Sequence, residues 1–104
     1  MAFFKAKDFT ATCAWDAIDI ATVEGASVRL HWTDKPYKWH INDGDEVFVL
    51  LDGVVKMHTC DSDGREQVTR MEAGHIFHAG VGDAHVAHPV GEARILVIEK
   101  PSSV

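Results

Sequence analysis

Residues 39–53 read Trp39-His40-Ile41-Asn42-Asp43-Gly44-Asp45-Glu46-Val47-Phe48-Val49-Leu50-Leu51-Asp52-Gly53. A polar turn here leads into a nearly continuous apolar run, which reads as a strand buried on both faces. Asp52-Gly53 is a hairpin signal, with Val54-Val55-Lys56-Met57-His58-Thr59-Cys60 as the returning strand. Downstream, Gly74-His75-Ile76-Phe77-His78-Ala79-Gly80-Val81-Gly82-Asp83-Ala84-His85 again mixes imidazole, carboxylate and glycine. Imidazole and carboxylate are side chains that hold divalent metals, and strands of a small barrel bring separated pieces together.

Working outward, the same strand periodicity recurs. Ser27-Val28-Arg29-Leu30-His31-Trp32 alternates apolar with polar, as a half-buried strand does. Asp61-Ser62-Asp63-Gly64 is a turn, and Glu66 to Met71 the strand that follows. His75 to His78 and His85 to His88 flank the Gly80/Gly82 loop; Pro89 and Gly91 then break the chain before a final strand, Ala93 to Glu99. Strands at this spacing, with Gly and Asp turns between them, predict an all-β sandwich or barrel. Asp16 to Ile20 reads either as one helical turn or as an edge strand, and the segment 1–26 as a source of edge strands. The tail 101–104 is expected to fray.

A length of 104 residues fits one domain, 1–104, with a core of its own. The net charge of -6, with Lys and Arg scattered singly, argues against a nucleic-acid partner. No apolar run approaches the roughly 18 residues of a membrane span. Met1 to Asp8 is too short and too charged for a secretory signal, so the cytoplasm is the expected compartment. Cys13 and Cys60 form no CxxC and are expected to be reduced thiols.

Side chains at i and i+2 share a strand face, so His40 and Asn42 point the same way. A turn through Asp43-Gly44-Asp45 swings Glu46 toward them, and a glycine loop delivers His85. Two imidazoles and a carboxylate would then meet at a barrel mouth with coordination positions left open. The competing reading pairs Glu46 with a base such as Arg29 in a metal-free barrel. Asn42 is either a ligand or a turn-stabilising amide. His78 is a wall residue, a proton shuttle or an extra ligand, and His75 is solvated. His31, His58 and His88 have no partner pattern. Trp32, Tyr37 and Trp39 are expected in core or dimer packing rather than as a ligand wall. Asp43 and Asp45 are turn residues, since no twelve-residue calcium loop surrounds them. No GxSxG, P-loop or dinucleotide pattern is present.

His40-x-Asn42-x3-Glu46-x6-Gly53 and Gly74-x5-Gly80-x-Gly82-x2-His85 resemble the two sequence motifs of the cupin family. The departures are Asp34 for the first glycine, Asn42 for the second histidine, Gly80 for a proline and Pro89 for the terminal asparagine. The resemblance implies a double-stranded β-helix, or jelly-roll barrel. It implies one divalent transition metal (Fe, Mn, Ni, Cu or Zn) on His40, Glu46 and His85, with Asn42 as a weak fourth contact or a donor to the ligands. A small-molecule ligand and a homodimer are also implied, and the apolar Phe3, Phe4 and Phe9 of the N-terminal segment are expected to contribute to the dimer contact. Dioxygenase, isomerase, epimerase and decarboxylase chemistry all fall within the family. A non-enzymatic barrel that binds or senses a small ligand is the alternative.

Overall fold

The computed structural model describes residues 1–101, and its period-two segments form seven strands. A short 3-10 turn, Ala6–Asp8, precedes β1 (Asp16–Val23) and β2 (Ala26–Thr33). β3 (His40–Ile41) is short, β4 (Glu46–Cys60) long, and β5 (Glu66–Glu72) and β6 (Ile76–Ala79) lead to β7 (Ala84–Glu99). Every pairing is antiparallel, in the order β1-β2-β7-β4-β5, with β3 added to β7 and β6 to β4. The all-β expectation holds, and Asp16 to Ile20 belongs to an edge strand. Residues 102–104 of the tail lie outside the described residues.

Asp52-Gly53 does not reverse the chain. β4 runs through it as one strand of 15 residues, alongside a 16-residue β7 that likewise passes through Pro89 and Gly91. The register slips between Leu50, Asp52 and Val54, which marks a bulge. Gly53 has φ 94°, and a Cβ there would lie 2.4 Å from the Glu92 carbonyl oxygen. The dipeptide therefore serves a bend shared by two paired strands, where a local hairpin would need the strand to fold back on itself.

The bulge also changes the parity of β4. Before it, Glu46, Phe48 and Leu50 face inward; after it, Val55 and Met57 do. Without the extra residue one half of the strand would turn its apolar set outward. The run from Val47 to Leu51 is consequently not buried on both faces, and Leu51 is exposed. Phe48, Leu50, Val55, Met57, Met71, Ala87, Ala93, Ile95 and Val97 form the core, with Trp15 and Phe77 packed against it. On the outer side of the bend, Arg94 is buried and donates to the Phe9 carbonyl, Thr10 Oγ1 and Asp52, which fastens the N-terminal segment to the barrel. No helix among the described residues is long and apolar enough to cross a membrane. Both cysteines are free.

Candidate metal centre

β3 is only two residues long, yet it sets the site. It pairs with the start of β7 so that His40 lies directly opposite His85 and Ile41 opposite Ala84. The loops on either side are zipped together through backbone. Asn42 N–H donates to the Asp83 carbonyl and Gly82 N–H to the Asn42 carbonyl, while the Asp83 carboxylate accepts from Gly80 N–H at 2.7 Å. The two quoted motifs are thus one structural unit. Glu46 opens β4 beside them, between Ala79 of β6 and Glu99 of β7.

The three side chains converge. Glu46 Oε1 lies 3.3 Å from His85 Nε2 and 3.9 Å from His40 Nε2, and one ligand atom from each residue falls within 4.8 Å of the others. The imidazole rings of His40 and His85 are 4.2 Å apart between centroids. All three side chains are nearly enclosed, at 11% exposure for His40, 8% for Glu46 and 3% for His85.

Asn42 joins this group through its amide nitrogen. Nδ2 donates to Glu46 Oε1 at 3.2 Å and to the Gly44 carbonyl at 3.3 Å. The opposite amide orientation would set two acceptors against each other, so Asn42 acts on the carboxylate as a donor. Its Oδ1 is buried without a partner among the described residues, and so is His85 Nδ1.

Burial by itself pushes the Glu46 carboxyl up. The pairings with His40 and His85, the charge of His85 and the Asn42 amide together outweigh it and hold the carboxyl at about 2. His40 is correspondingly raised, chiefly by Glu46 and against its own burial. Arg29, the base considered for Glu46, instead donates to Asp19 at 2.9 Å.

Donors on one transition ion at about 2.0–2.2 Å lie roughly 3 Å from one another, so small rotations suffice here. His40 Nδ1 sits 3.2 Å from the Lys38 carbonyl, which as N–H donor leaves the Nε2 lone pair facing the centre. Glu46 is ionised, and the imidazole–carboxylate set suits Zn, Cu, Fe or Ni. The donor set and the tautomer of His40 fit a divalent metal.

A cavity of about 280 Å³ opens over this cluster. Trp15, Tyr37 and Phe48 line it together with Arg29, His31 and Glu99. Tyr37 stands edge-on to both Trp15 and His40, at 5.6 and 5.7 Å between centroids. His31 is lowered, first by burial, and its Nδ1 bonds to the Trp15 carbonyl. Glu99 is pushed up to about 7, first by burial and then by the neighbouring charge of Glu46.

Several sequence expectations change here. His78 is neither wall residue nor shuttle: β6 turns Phe77 and Ala79 inward, and His78 points out to bond Asp45 at 2.9 Å. His75 is exposed at a turn, as expected. The three aromatics separate, with Trp32 buried, Tyr37 on the cavity wall and Trp39 half exposed. His31 gains a place that the alternation of its strand conceals. Leu30 and Trp32 are buried, so an apolar-in reading sends Arg29 and His31 to solvent. Their register partners Val97 and Ile95 belong to the core, however, and both polar residues face the cavity. His58 and His88, read as unpartnered, stand together on the outer face with Glu66.

No protein-family model matches the sequence, and no curated protein matches it. Solved structures do. A cupin-2 domain containing protein from Shewanella frigidimarina is 24% identical with a TM-score of 0.76, over 90% of this chain and 86% of that one. A cupin superfamily protein from Desulfitobacterium hafniense is 14% identical with a TM-score of 0.74, over 91% and 85%. A hydroquinone 1,2-dioxygenase in complex with Fe3+ is 16% identical with a TM-score of 0.77, over 88% of this chain and 29% of that one. The chain has the cupin fold, a small double-stranded β-helix, as the motif resemblance implied.

Proposed function

We propose that this chain is a divalent-metal-binding cupin that binds or transforms a small polar molecule in its barrel. The observation that carries the reading is the convergence of His40, Glu46 and His85 beneath a cavity of about 280 Å³. Those three residues would hold the ion. A metal there supplies a Lewis acid with open coordination positions. Among proteins of the same fold, a hydroquinone 1,2-dioxygenase is in complex with Fe3+ and an oxalate decarboxylase has Mn(II) centers, which supports Fe or Mn among Fe, Mn, Ni, Cu and Zn.

The protein's own part is positioning. The Lys38 carbonyl fixes the ring of His40, and the Asn42 amide steers the carboxylate of Glu46. Trp15, Tyr37 and Phe48 exclude water from one side of the cavity, while Arg29, His31 and Glu99 supply polar contacts on the other. A dioxygenase-like or isomerase-like reaction fits such a site. A non-catalytic ligand-binding barrel is the second reading.

Elemental analysis of protein purified without added metal or a histidine tag tests the centre. Near-stoichiometric metal that disappears in His85→Ala is the expected result. A metal-free wild type that no divalent ion stabilises would sink it. Assays of the loaded protein with diols, thiols and keto-sugars then separate turnover from binding. We also infer a cytoplasmic location and a homodimer, the latter supported by the exposed Met1, Phe3 and Phe4 ahead of the fastened N-terminal segment. A monomeric mass in light scattering would refute the dimer.

A further inference from the structure

Outside the barrel a second pair of imidazoles stands beside a carboxylate. β4 and β7 pair with His58 opposite Val86 and Lys56 opposite His88, which makes His58 and His88 diagonal neighbours across the ladder. Met57 and Ala87, one residue away on each strand, face each other and are buried, so the two histidines point outward. Their rings lie 4.1 Å apart between centroids, tilted by 41°. On the next strand Glu66 Oε1 sits 2.9 Å from His58 Nδ1. The carboxylate fixes the tautomer of His58, with the proton on Nδ1 and the lone pair on Nε2. Imidazole ligands of metal ions are commonly backed in this way.

We propose that His58 and His88, with Glu66 behind His58, form a second and shallower cation site on the outer face, for a divalent transition ion that favours imidazole. Two imidazoles sharing one ion at about 2.0–2.1 Å from nitrogen place their centroids roughly 5 Å apart, so the pair opens by about 1 Å on binding. The remaining coordination positions fall to water. Lys56, directly across from His88, is exposed, and its long stem lets the ammonium lie away from the ion. The net charge of -6 favours cations at the surface generally. Soft or oxygen-preferring ions are poorer matches, because the donors are borderline nitrogens.

Zinc titration of the full chain tests the site, read by calorimetry and by the 15N shifts of the histidine side chains. Wild type is expected to show zinc-dependent shifts at His58 and His88. His88→Asn and His58→Asn should each weaken that event at least about tenfold, and Glu66→Gln about tenfold. In all three the zinc-free melting temperature and the zinc response of His40 and His85 should be unchanged. Isotherms identical to wild type in these variants would overturn the site, as would a zinc response confined to His40 and His85. Shifts at His58 and His88 with none at His40 and His85 would uphold the outer site and count only against the inner one.

Discussion

The barrel carries the same set of three side chains twice, two imidazoles and a carboxylate, once inside and once on its outer face. Inside, Glu46 is 8% exposed, and His40, His85 and Asn42 compensate its charge. Outside, the side chain of Glu66 is 56% exposed and bonds a single imidazole. Burial makes the difference. A desolvated carboxylate must be fully paired, so the inner group is rigid and breaking it is expensive. A solvated one is optional, because water replaces any lost contact. The inner cluster therefore ties metal binding to stability, whereas the outer one can take an ion without touching the core.

Removing the inner carboxylate should break this contrast most sharply. Glu46→Gln keeps the shape and deletes the charge, and it is expected to lower metal affinity at the inner centre by at least about 100-fold. Calorimetry against the same ion reads the loss, and unchanged affinity would show that the histidines need no carboxylate. Gly53→Ala attacks the origin of the two faces, because the bulge decides which residues of β4 point in. Its φ of 94° and the approach of 2.4 Å to the Glu92 carbonyl predict a loss of at least about 2 kcal/mol in denaturant unfolding.

A pair of carboxylates on adjacent strands sharpens the comparison through pH. Glu46 is held at about 2 against an ordinary 4.5, so it contributes stability above pH 4.5 that is lost as pH falls toward 2. Glu99, its register partner, is pushed up to about 7 and has the opposite sign. Its contribution is full below pH 4.5 and is lost as pH rises through 7. In metal-free protein Glu99→Gln should therefore stabilise by about 1–2 kcal/mol at pH 8, allowing for solvent screening, and by little at pH 4. Melting curves at the two pH values decide it, and equal effects at both would refute the burial of Glu99. The smallest effect is expected from Asn42→Ala, about tenfold in metal affinity, if the amide serves to steer Glu46. A loss as large as that of Glu46→Gln would instead make Asn42 a ligand.

Much of the site was legible from spacing alone. His40, Glu46 and His85 fall at positions where a turn and a glycine loop bring them together, and the backbone bonds between Asn42, Gly82 and Asp83 are the physical content of that spacing. Strand composition was equally readable, because alternation is local. The Asp52-Gly53 dipeptide misled for the same reason. A positive-φ glycine suits a hairpin and a bulge alike, and only the partner strand distinguishes them.

The sequence by itself determined an all-β barrel, its cupin-like motifs and the three side chains that meet within it. Tertiary structure decided which faces those strands present. Arg29 and His31 turn inward because Val97 and Ile95 lie opposite them, and His78 turns outward because Phe77 and Ala79 fill the interior. His58 meets His88 across 30 residues of chain through a shared register. Parity along one strand is written in its residues, but the direction of that parity is set by pairing, and pairing is a long-range fact.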